Sequence, residues 1–205
     1  QNFAKVTTTT TDTVTGIFDS NATLFTFNPK EITVDNEDPG FRIIESNQKN
    51  KLQSFFKKES EDKYKNLNFW MPPSKWTATI GVNYYGDYIN SAVYKKSGSG
   101  SNKTEWTTQI QIPGFYEVFV YTSELPMMGW RRRGSEEKKM QYYTVKHDDG
   151  EEEISVETGR GRQGWRTLGS FYFSKGEAKI TLSDKGSESN QIIFADAVKW
   201  VYVGE

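Results

Sequence analysis

The stretch Met127-Met128-Gly129-Trp130-Arg131-Arg132-Arg133-Gly134 places a tryptophan beside three consecutive arginines. A ring such as Trp130 can stack on the face of a sugar. Guanidinium groups such as those of Arg131, Arg132 and Arg133 pair bidentately with a uronate, sulfate or pyruvyl group. The plainer alternative is that Trp130 packs on the protein body and the arginines are solvated or pair with Glu136, Glu137 and Glu151 to Glu153. A second constellation is acidic. Asp196 lies between Ala195 and Ala197 in an apolar run, and a buried carboxylate there needs partners. It belongs either to a structural hydrogen-bond network or, with Asp35 and Asp38, to an oxygen-rich site of the kind that holds calcium.

Other chemistry is excluded by composition. The chain has no cysteine and one histidine, His147, so a Cys/His zinc site and a Cys–His nucleophilic pair are out. A Ser–His–Asp triad would rest on His147 alone. Gly159-Arg160-Gly161-Arg162-Gln163-Gly164 matches G-x-G-x-x-G formally, but the strand-to-helix context the motif requires is missing, so a polar loop is expected. No spacing singles out a carboxylate pair for glycoside hydrolysis, and a non-catalytic protein is expected. The 26 basic and 27 acidic residues give a net charge of −1, without the basic excess of a nucleic-acid binder. No apolar run reaches the ~18 residues of a membrane-spanning helix.

These residues must be held by sheets. Aromatic residues make up 15% of the chain against a mean hydropathy of −0.75, a mixture that suits pleated faces and sugar-stacking surfaces. Residues 1–18, with Thr7 to Thr11 in a row, read as a linker or edge segment. Residues 19–205 read as one domain. Within it, the charged segment 45–68 reads as an insertion with a short helix over about Gln48 to Lys58, laid down through Leu52, Phe55 and Phe56. Asp35-Asn36-Glu37-Asp38-Pro39-Gly40 is a concentrated turn signal. Phe115 to Thr122 is apolar on both faces, as in a central strand covered on both sides. Asp148-Asp149-Gly150 and Ser174-Lys175-Gly176-Glu177 each predict a hairpin. The expected fold is all-β, an antiparallel, jelly-roll-like β-sandwich with one short helical insertion.

Several motifs in order resemble the golvesin C-terminal/xanthan lyase carbohydrate-binding-like domain family. They are Val34-Asp35-Asn36-Glu37-Asp38-Pro39-Gly40-Phe41, Tyr85-Gly86-Asp87-Tyr88 and the run from Ile112-Pro113-Gly114-Phe115 to Val120. Tyr143 to His147, Gly164-Trp165-Arg166 to Phe173, and Ile192 to Trp200 complete the series. The insertion at 45–68 departs from that family's pattern. The resemblance implies a β-sandwich and an accessory role beside secreted enzymes. Trp165, Trp200, Phe171 and Phe173 are then expected in the core.

The function expected is a non-catalytic carbohydrate-binding-like module of a secreted or cell-surface polysaccharide-active enzyme. The alternative is a structural domain that packs against a neighbouring catalytic domain and binds no glycan. Its partners are polysaccharide, including acidic polysaccharide, or an upstream catalytic domain, with no nucleic acid. Calcium is the ion expected if Asp35, Asp38 and Asp196 form a site, and no other cofactor is expected. The chain opens at Gln1 without a charged-then-apolar leader, so any signal peptide is expected to have been removed. Asp12-Thr13-Val14 resembles a short O-glycosylation acceptor, and an extracytoplasmic location follows from these readings.

Overall fold

A computed structural model describes residues 30–46, 63–123, 138–159 and 161–205. Twelve strands run through them: β1 (Glu31–Val34), β2 (Phe41–Ile44), β3 (Thr77–Ile80), β4 (Ser91–Lys96), β5 (Lys103–Ile110) and β6 (Gly114–Thr122), then β7 (Lys139–His147), β8 (Gly150–Thr158), β9 (Gly164–Phe173), β10 (Gly176–Gly186), β11 (Ile192–Ala195) and β12 (Val198–Gly204). They form a four-stranded sheet in the order β1-β12-β6-β9 and a five-stranded sheet in the order β2-β5-β10-β7-β8. A three-stranded sheet, β11-β4-β3, completes the set. Every strand pair is antiparallel. The described residues contain no helix, and so none long and apolar enough to cross a membrane.

Period-two alternation builds the core. On β6, Tyr116, Val118 and Val120 point inward, and on β10 Ala178, Ile180 and Leu182 do the same. They join Trp106 and Ile110 of β5, Tyr143 and Val145 of β7, and Val198 and Trp200 of β12 in one buried cluster. Phe171 and Phe173 also lie in it, as the sequence suggests. The all-β antiparallel sandwich is therefore the observed fold.

Two local expectations need correction. The turn at Ser174 and Lys175 does not close a hairpin: β9 pairs with β6, whereas β10 pairs with β5 and β7. The turn carries the chain from one sheet to the other, and turn chemistry alone does not distinguish that crossing from a hairpin. Asp148 reinforces it, its Oδ1 accepting the Ser174 N–H at 2.9 Å. By contrast, Asp148-Asp149 does join a true hairpin, since β7 and β8 pair from His147↔Gly150 to Lys139↔Thr158.

The second correction is to β6. It is central in its sheet, but Phe115 is exposed and Phe119 and Tyr121 are only half-buried. The outer face of the four-stranded sheet thus carries aromatic side chains toward solvent. Trp165 of β9 belongs to this face and not to the core: it meets Tyr121 edge-on at 5.4 Å between ring centroids, across the Tyr121↔Trp165 register. Lys199 of β12 lies over both the Trp165 and Phe119 rings, at 4.7 and 5.7 Å.

The expected linker, residues 1–18, lies outside the described residues, as does the predicted helix over Gln48 to Lys58. Lys95 of β4 and Asp184 of β10 form an ion pair that is almost completely buried, and it ties the three-stranded sheet to the five-stranded one.

Candidate functional site

A cleft of about 310 Å³ opens where the chain leaves β1 and faces the loop between β3 and β4. It is lined by Thr33, Asp35, Glu37, Asp38, Tyr85, Asp87, Tyr88 and Ile89. Turn geometry sets the acidic side. The Asp38 N–H donates to the Asp35 carbonyl at 3.1 Å, the Phe41 N–H to the Asp38 carbonyl at 3.0 Å, and the Asp35 N–H to Asp38 Oδ2 at 2.8 Å. Gly40 seats this turn against β5, where a Cβ would come within 2.4 Å of the Thr107 carbonyl oxygen. No side chain fits there.

The opposite wall is the loop around Tyr85. Asn90 Nδ2 donates to the Tyr84 carbonyl at 2.9 Å, and the Gly81 N–H donates to the Asn90 carbonyl at 3.0 Å. Gly86, at φ 149°, adopts a conformation closed to other residues, and a Cβ would meet the Ile89 carbonyl. The loop leaves Tyr88 89% exposed at the mouth. Tyr85 packs on Tyr121 and Trp165 with ring centroids 5.7 and 5.1 Å apart, so the cleft runs into the aromatic outer face of the four-stranded sheet.

The carboxylates divide into engaged and open ones. Glu37 accepts from Lys63 Nζ, Tyr64 Oη and Ser91 Oγ, and although burial opposes its charge, these donors hold its pKa below the usual value. Asp35 is 8% exposed, and among the described residues its carboxylate takes one donor, the Asn36 N–H at 2.7 Å on Oδ1. Burial, together with repulsion from Asp38, Glu37 and Asp87, pushes its pKa up to about 7, against the opposing pull of that N–H.

Asp196 stands apart. It is 2% exposed, and its carboxylate accepts from Ser123 Oγ at 2.7 Å and from the Tyr85 N–H at 3.2 Å. Trp106 Nε1 donates to its carbonyl at 3.0 Å. Burial drives its pKa well above the ordinary value, the two donors notwithstanding. Asp196 thus anchors the Tyr85 loop from beneath and is not among the residues lining the cleft.

Of the residues that the sequence singles out, Asp35 and Asp38 come together in the cleft. Asp196 does not join them as a third ligand, and among the described residues no three acidic or histidine side chains are grouped to hold a metal ion. The Asp196 carboxylate is instead engaged by Ser123 and the Tyr85 N–H. Trp130, Arg131, Arg132 and Arg133 lie outside the described residues. His147 packs against Phe171 at the end of β7, with ring centroids 5.0 Å apart. Gly159 and Gly161 lie between β8 and β9, strands of different sheets, and Gly164 opens β9, as expected of a loop and not of a phosphate cradle. Sequence reasoning does not find Tyr85, Asp87, Tyr88 and Trp165 as a site, although Tyr85-Gly86-Asp87-Tyr88 is visible as a motif. Nothing in the sequence places it opposite Asp35.

The family model of the golvesin C-terminal domain matches residues 63–202. The chain belongs to the golvesin C-terminal domain family. For this golvesin C-terminal domain, the match includes the Tyr85 loop, Trp165 and Asp196, and begins after the turn that carries Asp35 and Asp38. Xanthan lyase from Paenibacillus shares its fold, with a TM-score of 0.58 at 20% identity over 85% of this chain and 13% of that one. The chain therefore spans a small part of that enzyme's length. A family 35 carbohydrate binding module from Clostridium thermocellum aligns with a TM-score of 0.46 and 13% identity, over 83% of this chain and 98% of that one. No curated protein matches the chain.

Proposed function

We propose that this domain is a non-catalytic accessory module that holds polysaccharide for a secreted or cell-surface polysaccharide-active enzyme. The observation that carries this reading is the cleft, in which exposed and half-buried tyrosines stand beside carboxylates with open acceptor oxygens. Ring faces cover the apolar C–H faces of a sugar, and carboxylates accept its hydroxyl hydrogens, so the two residue types together suit a pyranose. Family membership and the xanthan lyase likeness in fold support the accessory role. An extracytoplasmic location follows from that role.

Tyr88→Ala is expected to weaken glycan binding about 10-fold, the loss of one aromatic contact, with little change in stability for so exposed a ring. Electrophoresis of the protein through gels containing neutral, amino-bearing or acidic polysaccharides measures this. Retardation by at least one polysaccharide, weakened in Tyr88→Ala, is the expected result. Unchanged mobility in every gel would refute the reading. It would favour a second one, in which the exposed side chains of Trp70, Met71, Ile80 and Val82 pack on a neighbouring catalytic domain.

A further inference from the structure

The open carboxylates of the cleft bear on the charge of its ligand. Asp35 is more than nine-tenths buried and lines the cleft, and its Oδ2 has no donor among the described residues. Asp38 offers Oδ1, since only its Oδ2 is used, by the Asp35 N–H. The Asp87 carboxylate also lines the cleft, and no described donor meets it. Lys63, which reaches Glu37 at this side, is paired with it. Three open carboxylates therefore line the cleft, without grouping around one ion, and among the described residues no basic side chain lines it with them. Asp35 carries the cost, its charge opposed by burial and by its three acidic neighbours.

We infer that the cleft selects its glycan by charge, taking sugars that bear a free amino group and disfavouring those that bear carboxylate or sulfate. An ammonium group presents N–H donors and a positive charge, which suits a lining of carboxylates in sign. A uronate brought to the same place meets like charge at short range. Tyr85 and Tyr88 then cover the sugar ring that carries the amine. This inference rests on the proposed glycan-binding role and narrows it, in the direction opposite to the acidic glycan that Arg131 to Arg133 suggest.

Isothermal titration of the whole chain at pH 7 tests it, with glucosamine oligomers, the matched N-acetylglucosamine oligomers and oligogalacturonate. A lysine-rich peptide and calcium chloride are run beside them. The free-amine oligomers are expected to bind at least about 10-fold more tightly than the acetylated ones, and oligogalacturonate more weakly than either. In Asp87→Asn and Asp38→Asn, both at exposed positions, the amine preference is expected to fall to within about 2-fold. Equal or tighter binding of the acetylated oligomers, or tighter binding of galacturonate, overturns the charge selection and leaves the glycan-binding role standing. Binding of no glycan at all overturns the role itself. Two further results overturn the inference by naming another occupant: saturable binding of the peptide without the amino sugar, or calcium binding that Asp87→Asn abolishes.

Discussion

Asp35→Asn is expected to yield a protein that is more stable at pH 8 and binds its ligand less well. Asparagine preserves the acceptor that receives the Asn36 N–H, so the turn keeps its geometry. What it removes is a charge held in a buried place beside Asp38, Glu37 and Asp87. The folded-state pKa of about 7 lies above the unfolded value of 3.8. Below pH 4 the side chain is neutral in both states and costs nothing. As pH rises through the window from about 4 to 7, the unfolded chain gives up its proton first, and folding stability falls. At pH 8 the accumulated penalty is roughly 2 to 4 kcal/mol, from about 1.4 kcal/mol per pKa unit discounted for partial solvation. Urea unfolding at pH 4 and pH 8 measures it. The variant should gain stability at pH 8 and little at pH 4. Asp196 shifts in the same direction, so the pH slope should shrink without vanishing. Loss of stability at pH 8 in Asp35→Asn would contradict this account.

Asp184→Ala should be far more damaging to stability than truncation of an exposed side chain such as Tyr88. The Lys95–Asp184 pair has 3% and 0% of its side chains exposed. Asp184 also accepts from the Gly100 N–H at 2.6 Å and from Asn102 Nδ2 at 3.0 Å. Gly98 makes room for it, since a Cβ there would come within 2.4 Å of Asp184 Oδ2. Removing the carboxylate leaves a buried ammonium with the Trp76 ring 5.7 Å away and strands two further donors. The expected loss is about 3 to 5 kcal/mol. Lys95→Met should cost less, because Asp184 keeps two donors. The double variant Lys95→Met/Asp184→Leu should recover a large part of the Asp184→Ala loss, as an apolar pair of similar volume can replace a buried ion pair. Although burial opposes the charge of Asp184, Lys95, Asn102 and Gly100 together lower its pKa. Its contribution is therefore present above the ordinary aspartate value and disappears as pH falls through the lowered one. Denaturant midpoints for the three variants settle the point. A change under about 1 kcal/mol in Asp184→Ala would mean that the pair does not hold the sheets together.

The fold was largely legible because its core strands announce themselves. Ala178, Ile180 and Leu182 alternate with polar residues, and all three are fully buried. The Asp148-Asp149-Gly150 turn chemistry named its hairpin correctly. What local pattern does not encode is sheet membership. Ser174-Lys175-Gly176 has the composition of a hairpin turn yet links strands in different sheets. Likewise, the apolar outer residues of β6 looked like a second buried face, whereas Phe115, Phe119 and Tyr121 line a surface. An aromatic residue reads the same in a core and on a platform. The site was half-legible for a related reason. Asp35 and Asp38 stood out as an acidic turn, but Tyr85, Asp87 and Tyr88 meet them only through tertiary pairing some fifty residues away in sequence. Asp196 stands out by its apolar neighbours, but nothing in the sequence names the Ser123 hydroxyl and the Tyr85 N–H that its carboxylate meets.

Under the proposed function, the cleft between the Asp35 turn and the Tyr85 loop is where this golvesin C-terminal domain meets its glycan. Two-dimensional amide NMR of the isotopically labelled chain, followed as a binding oligosaccharide is added, locates the contact. The shifted amides are expected to concentrate at residues 33–38 and 85–89, with smaller changes at Tyr121 and Trp165. The pattern should be lost in Asp35→Asn while the rest of the spectrum stays that of a folded protein. Shifts confined to residues 127–134, with the cleft silent, would move the binding role from the cleft to Trp130 and its arginines.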